Sequence, residues 1–311
     1  MKGKLWPKLL RPSTRAFFRE ARRTPDYSLF DWLHGYVYGR WPYLYISIGT
    51  GEHPLSRVVG PLAGWLLRLF SPQANDDDHS SGPSDFADAY HGKVVPLEAA
   101  RRLISVQKEI SLTNLEQIIP YPLARDIILH NPDHIVALEC PCRASRPQPC
   151  QPLGVCLVVG EPFASFVAEH HPRRSRWITP DQAGEILQAE HERGHVHHAF
   201  FKDAMLGRFY AICNCCACCC GAMQAWRNGV PMLVSSGYLS QVAPDECTGC
   251  GTCSYHCQFD AISMSDGLAV VDASLCMGCG VCASQCQQEA ISLVLTPSKG
   301  QPLEIHQLLE A

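Results

Sequence analysis

CTGCGTCSYHC, residues 247–257, and CMGCGVCASQC, residues 276–286, decide how the C-terminal part of the chain is read. Both follow C-x2-C-x2-C-x3-C. The first places Cys247, Cys250, Cys253 and Cys257, the second Cys276, Cys279, Cys282 and Cys286, and each cysteine recurs 29 residues later. The repeat continues beyond the thiols, as QFDAIS (258–263) and QQEAIS (287–292). Three thiolates on a tight loop wrap one face of a cubane cluster, and Gly249, Gly251, Gly278 and Gly280 let backbone amides approach the sulfurs. Two zinc knuckles are the competing reading, and eight cysteines in an internal repeat of this spacing disfavour it.

This segment closely resembles the bacterial dicluster ferredoxins over about residues 240–295. In that family the fourth cysteine of each run serves the other cluster. One [4Fe–4S] cluster then takes Cys247, Cys250, Cys253 and Cys286, and the other Cys276, Cys279, Cys282 and Cys257. The resemblance implies a pseudo-twofold βαββαβ fold, two [4Fe–4S] clusters and one-electron transfer. One departure stands out: Gln258 and Gln287 occupy the positions where the family usually has proline.

Ten cysteines lie upstream. Cys140, Cys142, Cys150 and Cys156 fall in CPCRASRPQPCQPLGVC, and Cys213, Cys215, Cys216, Cys218, Cys219 and Cys220 in CNCCACCC. Tight CxC and CxxC groups are poorly placed for disulfides, which have strict Cα–Cα limits, and well placed to converge on metal. Ten thiols are enough for one or two further iron–sulfur clusters. Either the first four hold one centre and four of the six another, or the two groups mix. Adjacent cysteines point differently, so Cys215 and Cys216, and likewise Cys218, Cys219 and Cys220, are not expected to serve one metal equivalently. With its CxCR and CNCCxCC motifs and ferredoxin C-terminus, residues 94–295 resemble a group of prokaryotic, anaerobe-type iron–sulfur proteins. GYVYGRWPYLYI (35–46) is similar to that group as well.

The chain has 311 residues, 46% of them hydrophobic, enough for a folded core. Residues 1–40 carry nine Lys/Arg against three Asp/Glu; residues 235–296 carry six acidic residues and no Lys or Arg. That acidic face should steer a redox partner with a basic docking surface. No secretory or twin-arginine signal is visible, which suggests a cytoplasmic location. The uncharged stretch 209–226 has the length of a membrane helix, but its six cysteines argue for a shielded metal site. No G-x-G-x-x-G or Walker A run and no basic recognition helix appears, so neither a bound nucleotide nor nucleic acid is expected.

The expected fold class is α+β. A basic, aromatic N-terminal arm with apolar helices covers 1–70, including an apolar piece at 53–70. It is expected to dock on its own domain rather than on a membrane surface. A Ser/Asp/Gly/Pro-rich linker covers 71–93. A cysteine-rich α/β module follows over 94–234, then the ferredoxin domain over 235–296 and a tail over 297–311. Within the module, helices are expected over PLEAARRLISVQKEI (96–110) and near LARDIILH (123–130), ending at Asn131-Pro132. Another is expected from Thr179, through a capping box with Gln182, to a stop at Gly194. IVAL (135–138) and FYAI (209–212) read as buried strands that each deliver into a cysteine group. Both groups should therefore meet at one edge of a small sheet.

Arg143 either sits beside anionic clusters and raises their potential or lies on the surface. His170, His171, His191, His195, His197 and His198 read as packing or solvent residues ahead of metal ligands or proton shuttles. Three functions are compatible with these features. The first is an electron-transfer protein that passes single electrons between the ferredoxin clusters, the upstream centre and a partner oxidoreductase. The second is a reductase, or a subunit of one, with an open-site cluster in the CxCR/CNCCACCC module. The third is a redox or oxygen sensor. No catalytic residue is assigned.

Overall fold

The computed structural model describes residues 11–56 and 87–310. Its centre is an eight-stranded sheet. The strands are β1 (Tyr90–Val95), β2 (Ile110–Leu112), β3 (Ile127–Leu138), β4 (Cys156–Glu161), β5 (Ser175–Ile178), β6 (Val196–Lys202), β7 (Arg208–Cys215) and β8 (Leu233–Val234). Their order is β2-β3-β4-β7-β6-β1-β8, with β5 also paired to β3. Every pair is antiparallel except β1 with β8. The module is thus an antiparallel-rich layer rather than a βαβ crossover sheet. Strands β6 and β7 are buried almost throughout, so both faces of the sheet are covered.

Two sets of helices provide the cover. Helices α1 (Pro12–Ala21), α2 (Leu29–Arg40) and α3 (Pro42–Gly49) form the N-terminal set. Helices α4 (Leu97–Ile104), α5 (Pro141–Ala144), α6 (Phe163–His170), α7 (Pro180–Glu192) and α8 (Gly221–Arg227) lie between the strands in sequence. Helices α1 and α2 pack on α6, which packs on β3 and β4; α4 and α7 pack together against β6. The described part of the N-terminal arm docks on its own domain: Phe17 is buried against Phe163 and Phe166, and the Tyr38 and Tyr210 hydroxyls meet at 2.8 Å. His170 and His171 serve this packing, their Nε2 atoms lying 2.9 Å from Thr14 Oγ1 and 2.7 Å from the Gly39 carbonyl.

Helix α7 forms as its sequence dictates. Thr179 and Gln182 close the capping box, and Gly194 takes φ +81° just past the end. Three expectations need correction. LARDIILH is not a helix, because Ile127–His130 begin β3. Ile127 and Leu129 are buried while their neighbours are half-exposed, so the period-2 pattern of a one-sided strand wins over helical spacing. Asn131 and Pro132 sit where the β3–β4 register shifts, with Asn131 at φ +45°. Helix α4 stops at Ile104, and Ile110 belongs to β2. The linker expected over 71–93 is cut short, because Tyr90–Lys93 are part of β1, hydrogen-bonded between β6 and β8. Most of that linker, and most of the apolar piece at 53–70, lie outside the described residues.

The C-terminal segment runs β9 (Tyr238–Val242), α9 (Thr252–His256), β10 (Ile262–Ser265), β11 (Leu268–Val271), α10 (Val281–Ser284) and β12 (Ile291–Leu295). Strand β9 pairs with β12 and β10 with β11, both antiparallel. The sequence repeat reappears in the backbone. Gly249 and Gly278 both have positive φ, and a Cβ on either would lie 2.1 Å from a carbonyl oxygen, that of Gly267 or of Tyr238. Asp260 and Glu289, again equivalent positions, both adopt φ above +50°. Phe259, Met277 and Val281 join the core of the large sheet. The tail beyond 297 is tied down as well. Buried Lys93 donates to the Gln301 carbonyl at 2.7 Å, and α11 (Ile305–Glu310) packs on α4.

Candidate metal centres

Strands β3 and β7 are each antiparallel to β4, so they run the same way and end at the same edge of the sheet. The chain leaving β3 supplies Cys140 and Cys142, and β7 supplies Cys213 and Cys215, which are on one face because they are two apart. As expected, the two groups meet: Cys140, Cys142, Cys213, Cys215, Cys216 and Cys220 line one small cavity with Arg143 and Phe200.

The upstream thiols divide into two sets that cut across the motifs. Cys150, Cys216, Cys218 and Cys219 have all four sulfurs within 4.8 Å of one another. The other set is looser. Cys215 and Cys220 are 3.2 Å apart, Cys142 lies within electrostatic reach of Cys220, and Cys156 and Cys213 pair across β4 and β7 at 3.5 Å. Mixing of the groups is therefore the arrangement found. Cys215 and Cys216 do face different sets. Cys218 and Cys219, contrary to expectation, face the same one. Strand alternation stops at Cys215, and residues 217–219 form a turn that folds neighbouring side chains toward one point. Burial pushes Cys216 up to about 12, and Cys150 and Cys218 up to about 11. Burial would raise Cys219 too, but hydrogen bonds with Cys150, Cys218 and Cys216 hold it below its ordinary value. Four thiols packed this closely ionise together only around a cation, which suits this donor set to metal.

In the C-terminal segment, Cys247, Cys250, Cys253 and Cys286 line a shared cavity, so the last cysteine of the second run joins the first three of the first. Cys257 lies within electrostatic reach of Cys279 and Cys282. Among the described residues no three of these eight sulfurs fall mutually within 4.8 Å, a spacing that leaves room for a multi-iron core. Cys250 is exposed, whereas Cys276 is buried in the core of the large sheet and Cys282 in the small core of the C-terminal segment.

Arg143 is not on the surface. It is 1% exposed and donates to the Pro152 carbonyl at 2.7 Å, the Asn214 carbonyl at 2.9 Å and Glu190 Oε2 at 2.5 Å. Burial favours the neutral guanidine, but the Glu190 charge outweighs it and raises the Arg143 pKa. Burial would likewise raise the Glu190 carboxyl, yet hydrogen bonds from His195 and Arg143 hold it below its ordinary value. Cys140 and Cys216 both act on Arg143 electrostatically, so one cation sits between the two thiol sets. His197 reaches Asn214 Oδ1 at 2.6 Å, and Asn214 Nδ2 donates to the Val155 carbonyl at 2.7 Å. The histidine-rich stretch thus supports the floor of the site, and none of its rings belongs to a metal-ligating group among the described residues. Glu190 was not legible in the sequence: one acid on a helix gives no sign of its partner 47 positions away.

Three further residues bear on the site, of which the sequence marked only Gln258, as a departure from the motif. Gln258 Oε1 accepts from the Ala217 N–H at 2.8 Å. Arg146 donates to the Cys219 carbonyl at 3.2 Å and to Gln224 at 2.5 Å. Lys202 is 2% exposed, and its Nζ lies 4.5 Å from the Tyr90 ring centroid and 5.0 Å from that of Tyr38.

Residues 241–263 and 269–292 match the 4Fe–4S binding domain. No curated protein and no solved structure matches the chain. The two matched segments carry two [4Fe–4S] clusters, and the cysteine-rich region upstream provides for further iron–sulfur. No helix among the described residues is long and apolar enough to cross a membrane.

Proposed function

We propose that the chain relays single electrons between a partner oxidoreductase and an upstream iron–sulfur centre held by the looser thiol set. The observation that carries this reading is the packing of the ferredoxin segment onto the cysteine edge of the large sheet, through Gln258 and Ala217. When bound, the clusters store and pass one electron each. The protein's part is to place them, shield them and set their potential. Each half of the C-terminal repeat provides one loop and one crossed-over cysteine, the pseudo-twofold arrangement of the dicluster ferredoxins. Cys250, exposed and flanked by the exposed Asp245 and Glu246, marks the face on which a basic partner docks. Arg143 offsets negative charge gathered at the sheet edge and favours the reduced state. Iron and acid-labile sulfide per chain after anaerobic reconstitution test this proposal. The ferredoxin segment alone binds about 8 Fe and 8 sulfide, and values of both clearly above that are expected.

A specific cavity favours a second reading, a reductase. Tyr38, Tyr45, Ile46 and Met232 line an apolar pocket that reaches Cys142 and contains Lys202. Burial lowers the Lys202 pKa to about 8, near enough to neutrality for a proton donor beside a redox centre. A change in the upstream centre's spectrum on adding a small ligand would favour this reading over a pure relay.

A further inference from the structure

We infer that Cys150, Cys216, Cys218 and Cys219 form a separate mononuclear site, binding one thiophilic ion, zinc or ferrous iron, in a tetrahedron of sulfurs without inorganic sulfide. The inference holds whether or not the chain relays electrons.

Mutual spacing distinguishes this set from the other thiol groups, although Cys216 also borders the cavity of the looser set. The Cys150–Cys218 contact is 3.0 Å, Cys216–Cys218 3.4 Å, Cys218–Cys219 3.6 Å and Cys150–Cys216 3.7 Å. A metal–sulfur bond of ~2.3 Å in a tetrahedron sets the sulfurs ~3.8 Å apart. The quartet is near that size, with all four sulfurs within 4.8 Å of one another. In a cubane each thiolate caps a different iron, so its four sulfurs stand much farther apart. The same structure contains that wider case: no three ferredoxin cysteines come mutually within 4.8 Å, nor do any three of the looser upstream set. The tight spacing is a property of this quartet, not of cysteines in this chain.

The surroundings also suit a small ion. The four ligands come from one loop and one turn, Cys150 from the loop after α5 and the others from 216–219. Arg146 holds the Cys219 carbonyl, and Gln258 holds the Ala217 amide between two of the ligands. Such a site pins the turn that also delivers Cys215 and Cys220 to the other set. It acts as a structural clamp at the joint with the ferredoxin segment. Ion binding here is an exchange of thiol protons for a divalent cation, with no change of oxidation state.

The test uses the full chain, purified anaerobically, with iron, zinc and acid-labile sulfide measured per chain. Cubanes hold iron and sulfide in equal number, so the wild type should show about one metal ion in excess of sulfide. The C150S/C218S variant should lose that one ion, zinc or iron, with sulfide and the reduced-cluster electron paramagnetic resonance signals unchanged. Metal equal to sulfide in the wild type would overturn the inference, even if the variant does not fold. So would loss of sulfide together with several irons in a folded variant, or a metal-free Cys150–Cys218 disulfide in the reduced wild type.

Discussion

Gln258 Oε1 accepts a 2.8 Å hydrogen bond from the backbone N–H of Ala217. One residue before Gln258 is Cys257, and on either side of Ala217 stand Cys216 and Cys218. A single side chain therefore joins the ferredoxin repeat to the cysteine-rich turn. Proline, usual at this position in the ferredoxin family, has no side-chain acceptor to make that bond. The departure from the motif is one joint between the two halves, beside the Arg227–Asp260 ion pair and the packing of Phe259 on Trp226. Q258A should leave iron and sulfide unchanged and lower stability by about 1 kcal/mol. It should also slow electron exchange between the segments, read by rapid-freeze paramagnetic resonance after photoreduction.

The Arg143–Glu190 pair should be intolerant of half-removal. R143M leaves a buried carboxylate and is expected to cost about 3–5 kcal/mol in denaturant unfolding. Because Glu190 loses its burden of charge in R143M/E190Q, the double variant should be less destabilised than the sum of the two singles.

Asp245, Glu246, Asp266 and Glu289 are among the exposed acids of the C-terminal segment, and in the proposed relay they face the partner. The rate of reduction by a basic partner should fall as ionic strength rises, with charges more than ~10 Å apart screened at 0.1 M salt. Replacing all four by amides should flatten the profile without altering cluster content.

Acid sensitivity should come partly from the sheet core. Burial lowers the pKa of His197 and of His198 to about 3. Unfolded, each takes up a proton below about 6.5, so between those values the unfolded state holds more protons. Stability is then fully present above about pH 6.5 and declines as pH falls toward 3. H198L should remove about one proton from that slope, ~1.4 kcal/mol per pH unit, measured as unfolding midpoints between pH 7.5 and 5.

Much of this was legible in local patterns. The cysteine repeat, the Thr179 capping box and the strand-to-cysteine layout at IVAL and FYAI each follow from spacing alone. The strand at 127–130 was not, because a four-residue run is too short to separate the two periods, and its partner β2 is known only from the fold. The division of the ten upstream cysteines was hidden for a related reason. Cys150 joins Cys216, Cys218 and Cys219 only through the antiparallel β3-β4-β7 arrangement, and a turn at 217–219 overrides the alternation that adjacency suggests. Long-range partners such as Glu190 for Arg143 leave no trace in a single sequence.

The central claim is that the upstream cysteines carry redox-active iron–sulfur in addition to the ferredoxin pair. An anaerobic reductive titration of the full chain tests it most directly. The two ferredoxin clusters accept about two electrons, and the account predicts uptake of about three or more per chain, with a signal that persists when Cys286 and Cys257 are replaced by serine. Uptake that stops at two electrons and vanishes in that variant would contradict it.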